Sequence, residues 1–319
     1  MKRALPLLLL LMTSGLVAQQ NPFNAAAVFP KKHQFDTGDT LRIMTYNVEH
    51  LVDHFDDPYV NNRIENAAQI DTAKLRLLAE VLRLAAADVV VFQEAESANA
   101  VEALRDSFFA DLGYSYISDA RSRDWYQNVV ILSKLPLGKI SAYGNVHTPV
   151  VFEEEGEAKY QSQNYINTRM WTCELLVNEN YGLYLSGAHL KAGGGNRNRA
   201  MRLGQIDYLK TEMARILSAE PQADLILLGD LNSFRDGPEI ARLLSSEPVG
   251  LAFNDPLAPE LNTHPADKPS RRLDYILYNA NLSNQVWEGS TQVFKPFEAI
   301  KMRAVSDHLP VIMDLIIER

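Results

Sequence analysis

Twice in this chain a helix-length amphipathic stretch leads into Ala-Asp, four uninterrupted apolar residues, one spacer and an acid. The two copies are Ala87-Asp88-Val89-Val90-Val91-Phe92-Gln93-Glu94 and Ala223-Asp224-Leu225-Ile226-Leu227-Leu228-Gly229-Asp230. A strand with no polar alternation is buried on both faces, so each copy needs helices or a second sheet over either side. The pattern therefore directs the chain to a layered α/β fold. Upstream of each helix a further strand candidate ends in polar groups, Thr45-Tyr46-Asn47 in one half and Ala188-His189-Leu190-Lys191 in the other. Neither half carries enough polar strand ends for chemistry alone. The two are expected to share one site within one domain of two packed sheets with helices outside.

Strands are expected over residues 41–48, 89–93, 129–133, 170–177, 183–188, 225–228, 273–278 and 310–317, each short, aliphatic or aromatic and bounded by turn residues. Helices are expected over 71–84, 98–109, 199–217 and 238–245, the first with Leu75, Leu78, Val81 and Leu82 on one stripe. The N-terminus reads as a processing segment: Lys2 and Arg3, an apolar run over 5–12 too short to span a bilayer, then Gly15-Leu16-Val17-Ala18. This gives a signal peptide over 1–18, a polar lead over 19–38 and a single folded domain over 39–319. Export to the periplasm or the extracellular space follows, and with no Cys after the apolar run there is no lipid anchor. Cys173 is the sole cysteine, which excludes an intrachain disulfide and a thiolate zinc cluster.

The formal charge is −9, and loss of Lys2 and Arg3 with the leader takes it to −11. A phosphate polymer would meet net repulsion, so phosphate chemistry here requires clustered cations or a bound metal. The polar strand ends supply candidates. Glu94 and Asp230 each follow a buried strand and emerge where solvent is limited, so each needs a partner. Asp230 and Asn232 are two apart and face one side of a continuing strand, as do His189 and Lys191. Asp307 and His308 are adjacent, and only the loop before Pro310 brings both to one site. Alone, each residue also reads as a cap, a turn or a satisfied core group; their joint occurrence points to chemistry. Asn47, Glu94, Asp230, Asn232, Asp274 and Asp307 supply carboxylate and amide oxygens that suit Mg²⁺, Mn²⁺ or Ca²⁺. His189 and His308 supply imidazoles for phosphate oxygens.

Leu41-Arg42-Ile43-Met44-Thr45-Tyr46-Asn47-Val48, Val91-Phe92-Gln93-Glu94, Asn128-Val129-Val130-Ile131-Leu132-Ser133, Gly187-Ala188-His189-Leu190-Lys191, Leu228-Gly229-Asp230-Leu231-Asn232, Arg272-Leu273-Asp274-Tyr275 and Ser306-Asp307-His308-Leu309-Pro310 resemble, in order, the motifs of the endonuclease/exonuclease/phosphatase superfamily. That resemblance implies a four-layer αββα sandwich and a divalent-metal-dependent phosphodiester hydrolase. It implies Glu94 as principal metal ligand, assisted by Asn47 and Asp307. Asp230 would orient or deprotonate the attacking water with Asn232 beside it, His308 would contact the scissile phosphate, and Asp274 would orient His308. His189 matches a second phosphate-facing histidine and Asn128 a phosphate-positioning amide; Tyr275 reads only as a strand residue.

For the substrate, Lys191 and the run Gly193-Gly194-Gly195 precede Arg197, Arg199 and Arg202 at a helix start, where backbone N–H groups and the helix dipole can gather phosphate. A solvated helix face reads equally well. Lys191 and Arg197 are the candidate substrate-binding residues. With Asn47-Val48-Glu49-His50-Leu51, this stretch is similar to exported bacterial members described as nucleases. Trp125-Tyr126 is an isolated aromatic pair rather than a membrane-entering insertion, and Glu153-Glu154-Glu155 reads as a solvated loop. The expected partner is a nucleic acid, DNA or RNA, met by a monomer without a membrane anchor. A small phosphorylated molecule or phospholipid headgroup is the alternative, and a catalytically inactive binding protein on the same scaffold is a third reading.

Overall fold

The computed structural model describes residues 38–53, 71–120, 127–143, 146–163 and 169–317. The expected signal peptide, nearly all of the expected polar lead and Trp125-Tyr126 lie outside the described residues. In chain order the strands are β1 (Thr40–Leu51), β2 (Val89–Ala95), β3 (Tyr116–Asp119), β4 (Asn128–Ser133), β5 (Leu137–Ala142), β6 (Thr148–Glu154), β7 (Glu157–Gln163), β8 (Met170–Leu176), β9 (Gly182–His189), β10 (Leu225–Asp230), β11 (Phe253–Asn254), β12 (Asp274–Asn279), β13 (Gln292–Val293) and β14 (Val311–Ile316). The α-helices are α1 (Thr72–Ala85), α2 (Ala98–Leu104), α3 (Asn196–Ala219), α4 (Pro238–Leu244) and α5 (Ala299–Val305).

Two six-stranded sheets form, ordered β13-β14-β1-β2-β4-β3 and β11-β12-β10-β9-β8-β5. At the centre of each lies a parallel pair joined through a helix, β1–β2 through α1 and β9–β10 through α3. Antiparallel neighbours flank both pairs: β14 and β4 in one sheet, β8 and β12 in the other. The repeat legible in the sequence is thus a repeat of topology. Its Ala-Asp acids have diverged, since Asp88 accepts from the Arg42 backbone N–H whereas Asp224 accepts from the Tyr181 hydroxyl.

Period-two alternation distributes the four-residue apolar runs over four layers. Val90 and Phe92 face α1, α2 and α5, in a cluster with Leu78, Val101 and Met302. Val89 and Val91 meet Ile226 and Leu228 between the sheets. Leu225 and Leu227 turn outward to α3 and α4, beside Leu209 and Leu243. This is an αββα sandwich. Asp71 caps α1 by accepting from Ala73 N–H, and Ala86 closes it in a left-handed turn.

Each of the eight expected strands is present. The short or polar elements β3, β5, β11, β13 and α5 went unread, as did the β6–β7 hairpin. Helix α3 starts at Asn196, three residues before the expected start, because Gly195 (φ +86°) is its N-cap. The expected helix over 98–109 continues beyond α2 as a π-helical turn, Arg105–Phe109. Glu153 and Glu154 are exposed as expected but end β6, and Glu155-Gly156, both at positive φ, make the hairpin turn rather than a loop.

Trp171 of β8 fixes the two sheets against each other. Its ring is buried between them and its indole N–H donates to the Val129 carbonyl of the opposite sheet at 2.8 Å. Gly187 makes room for it, since a Cβ there would stand 2.5 Å from the ring. Gly229, next to Asp230, is equally constrained: at φ +140° its Cβ would stand 1.8 Å from the Ala188 carbonyl oxygen. Gly229→Ala should therefore lower the unfolding free energy by about 3 kcal/mol or more in a denaturant titration. A loss below about 0.5 kcal/mol, the range of an ordinary surface change, would show that β9 and β10 part easily.

Candidate active site

Both parallel pairs end at the same edge of the sandwich, and their inward-facing positions meet there. Asn47 follows Ile43 and Thr45 on the inner face of β1; Asp230 follows Ile226 and Leu228 on the inner face of β10. Asn47 Nδ2 donates to Asp230 Oδ2 at 3.0 Å across the two sheets. Alternation alone would send Glu94 outward with Val90 and Phe92. Instead, Gln93 pairs with Val129 and Ala95 with Asn128, so Glu94 is an extra residue in a bulge, with φ +60°. The bulge delivers its carboxylate to Asn47 Nδ2 at 3.3 Å. Asn128 is buried at the start of β4, and its amide donates to the Glu96 carbonyl, supporting the chain just beyond the bulge.

The imidazoles complete the group. His189 Nε2 stands 3.6 Å from Asp230 Oδ2 and 3.9 Å from Glu94 Oε1. His308 Nδ1 lies 2.8 Å from Asp274 Oδ2, and its Nε2 lies 3.8 Å from Asp230 Oδ2 and 4.0 Å from Asp307 Oδ1. The loop carrying Asp307 and His308 is tied to the end of β1 by Ser306, whose hydroxyl donates to the Asn47 carbonyl and accepts from His308 N–H. Asn232 sits at φ +49°, donates its backbone N–H to Asp230 Oδ1 at 2.8 Å and its side-chain amide to the Leu190 carbonyl. Asn47, Glu94, His189, Asp230, Asn232, Asp274 and His308 thus form one connected set, and Asp307 joins it through His308.

Sequence reasoning missed Glu49, His50 and His264 here. Glu49 (φ +46°) accepts from Asp307 N–H at 2.9 Å and pairs with Arg303 at 2.6 Å. His50 (φ +53°) places Nε2 3.8 Å from Glu94 Oε2. His264 lies 3.4 Å from Asp307 Oδ2 and packs edge-on against His308, centroids 4.8 Å apart. Glu49 and His50 follow Asn47 within its motif, a signal that could have exposed them. His264 sits in a loop with no periodicity, and only the fold brings it in.

Burial drives the electrostatics. It pushes the Asp230 carboxyl up to about 7, against the pull of His308 and the hydrogen bonds from Asn232 and Asn47. Burial also works against a charged His308, but Asp274 and Asp230 outweigh it and hold that imidazole protonated up to about 10. His189, buried and near Arg169 and His308, is driven well below the usual histidine range and is neutral. Asp307 lies lower than an ordinary carboxyl, because His264 and His308 outweigh its burial.

The donor set fits a hard divalent cation. Among the described residues no Lys or Arg forms an ion pair with Glu94, Asp230 or Asp274, and the buried Asp274 Oδ1 has no hydrogen-bond partner. Asp230, Asp274 and His308 offer atoms within 4.8 Å of one another, and so do His264, Asp307 and His308. Carboxylates gathered this densely against imidazoles leave uncompensated negative charge.

The basic residues divide. Lys191 is half-buried, its pKa lowered by burial and by Arg169, Arg197 and Arg202. Arg197 is exposed and donates to Gln161 on the hairpin, and Arg199 is exposed. Arg202 departs from the expected phosphate-gathering strip: it is buried, pairs with Glu239 at 2.7 Å and donates to the Lys191 and Gly193 carbonyls, so its charge is neutralised within the fold.

The chain matches the Endonuclease/Exonuclease/phosphatase family over residues 44–308. Similar solved structures include the human Nocturnin catalytic domain with bound sulfate (16% identity, TM-score 0.57, covering 88% of this chain and 95% of that one). They also include truncated Caenorhabditis elegans TDP2 (15%, 0.54, 87% and 98%) and sphingomyelinase C from Streptomyces griseocarneus (18%, 0.53, 86% and 99%). No curated protein matched the sequence. With the acid–imidazole cluster at the strand ends and this match over most of its length, the chain belongs to the Endonuclease/Exonuclease/phosphatase family and is a metal-dependent phosphoric ester hydrolase.

Proposed function

We propose that the protein is an exported nuclease that hydrolyses phosphodiester bonds in DNA or RNA with Mg²⁺, Mn²⁺ or Ca²⁺, acting as a monomer. The observation that supports the substrate class is the group of basic residues on the chain segments next to His189, in a chain of charge −9. The Arg169 carbonyl accepts the His189 N–H at 2.6 Å, and half-buried Lys191 with exposed Arg197 and Arg199 follow His189 along the chain. Such a local concentration of positive charge in an acidic protein suits a substrate with phosphates beyond the cleaved one.

Glu94, Asn47 and Asp307 would hold the cation, which supplies positive charge to the non-bridging phosphate oxygens. Asp230 accepts the proton of the attacking water, its carboxylate oriented by Asn47 Nδ2 and the Asn232 backbone N–H. His308, kept protonated by Asp274, donates from Nε2 to the phosphate, while neutral His189, whose Nε2 also lies beside Asp230 Oδ2, offers a second N–H. Asn128 holds the strand beyond Glu94 in place, and Lys191 and Arg197 contact flanking phosphates.

Purified protein should cleave single-stranded DNA or RNA, lose the activity in EDTA and regain it with Mg²⁺ or Mn²⁺. Turnover of p-nitrophenyl phosphorylcholine or sphingomyelin in place of nucleic acid would assign the headgroup reading instead. Asp274→Asn should move the titration of His308, followed by imidazole ¹⁵N shifts in EDTA, from about 10 to below about 8, towards an ordinary histidine. The same change should lower kcat by about 10²–10⁴. His308→Ala should lose a similar amount, and the double variant little more, because the pair acts as one unit. Multiplicative losses would show two independent roles.

A further inference from the structure

Beside the catalytic cluster lies a cavity of about 280 Å³ lined by Gly193–195, Arg199, Asn232, Phe234 and Arg271. Asn232, which orients Asp230, forms part of its wall, and so does Leu273, the neighbour of Asp274. The cavity therefore begins where the reacting groups end. Its floor is rigid and neutral: Arg202 is paired to the buried Glu239 and holds the glycine segment through the Gly193 carbonyl.

Three side chains on the lining are not explained by the fold. Phe234 is 52% exposed, four residues after Asp230. The chain just before it is fixed by the Tyr275 hydroxyl, which donates to the Ser233 carbonyl, so the ring is presented from an anchored turn. Arg199 is exposed on the first turn of α3. Arg271 is exposed and, among the described residues, its side chain donates only Nε, to His264 Nδ1 at 3.0 Å, leaving its terminal nitrogens for a ligand. With Arg202 neutralised, two positive charges and one aromatic face remain.

That combination selects an anion carrying a flat ring. A quaternary ammonium headgroup would meet two arginines of its own sign, and a bare phosphate would leave the ring unused. An unpaired base can stack on an exposed aromatic side chain while its phosphate takes the guanidinium groups. A volume at the lower end of the roughly 300–1,000 Å³ of small-molecule sites accommodates one such unit. We infer that this cavity is the subsite for the nucleotide flanking the scissile phosphate, its base on Phe234 and its phosphate between Arg199 and Arg271. The inference rests on the nucleic-acid reading and adds to it a preference for single strands, whose bases are free to stack.

The test uses a fluorescein-labelled single-stranded DNA dodecamer, its binding followed by anisotropy in EDTA. In parallel, kcat/KM with Mn²⁺ is compared between the dodecamer and methyl p-nitrophenyl phosphate. Phe234→Ala should weaken binding about 10-fold and lower the ratio of the two kcat/KM values by a similar factor, whereas Phe234→Trp should stay within about twofold of wild type on both. Arg199→Gln should weaken binding and reduce the slope of log K against log salt by about one. If the wild type binds and cleaves the dodecamer but Phe234→Ala matches it, the subsite is wrong and the nuclease reading stands. If the wild type neither binds nor cleaves the dodecamer yet turns over p-nitrophenyl phosphorylcholine, the nuclease reading falls and takes the subsite with it.

Discussion

One side-chain amide ties the two sheets together at the candidate active site. Asn47 Nδ2, from the first sheet, reaches Asp230 on the second at 3.0 Å and Glu94 on its own sheet at 3.3 Å. It can do so only because both central parallel pairs end at one edge with their inward faces opposed. Displacement of one sheet by a single residue would turn Asn47 or Asp230 to the helical side. The Trp171 indole bonded across to Val129, and the glycines that admit it and bring β9 close to β10, keep that register. The geometry of the candidate site is a consequence of sheet packing, with loops adding Asp307, His308 and Asn232.

The charge distribution follows from the same placement. Strand ends that close over a sandwich core are poorly solvated, and four acids converge there with imidazoles as their nearest basic groups. Burial raises Asp230, and the acids in turn hold His308 charged. The arginines stand further out, on α3 and the loop before β12. The charge of this acidic protein is thereby divided between acids at the strand ends and arginines around them.

Much of this was legible in the sequence because the core strands are continuous apolar runs. Val89–Phe92 and Leu225–Leu228 read as buried strands, and their terminal acids mark the candidate site. The β6–β7 hairpin escaped because it is largely solvent-exposed, and α5 because seven residues with a lysine and an arginine give little periodicity. Within the site, the acid of Glu94 was readable but the bulge that aims it was not, since a left-handed glutamate has no composition signal. His264 escaped for a different reason: its neighbours Asp307 and His308 lie more than forty residues away. Arg202 was legible as a charge, but its neutralisation by Glu239 depends on α3 packing against α4.

The central claim is that the strand-end acids form an under-compensated cluster that a divalent cation completes through Glu94. Thermal unfolding of wild type and Glu94→Gln, each in EDTA and in Mn²⁺, tests it most directly. Without the cation the variant should be as stable as the wild type or slightly more so, because one repulsive charge is gone. Mn²⁺ should raise the wild-type Tm, with a stabilisation of about 2.7 kcal/mol at a hundredfold excess over Kd, and should raise that of the variant far less. An equal rise in both proteins, or none in the wild type, would contradict the account.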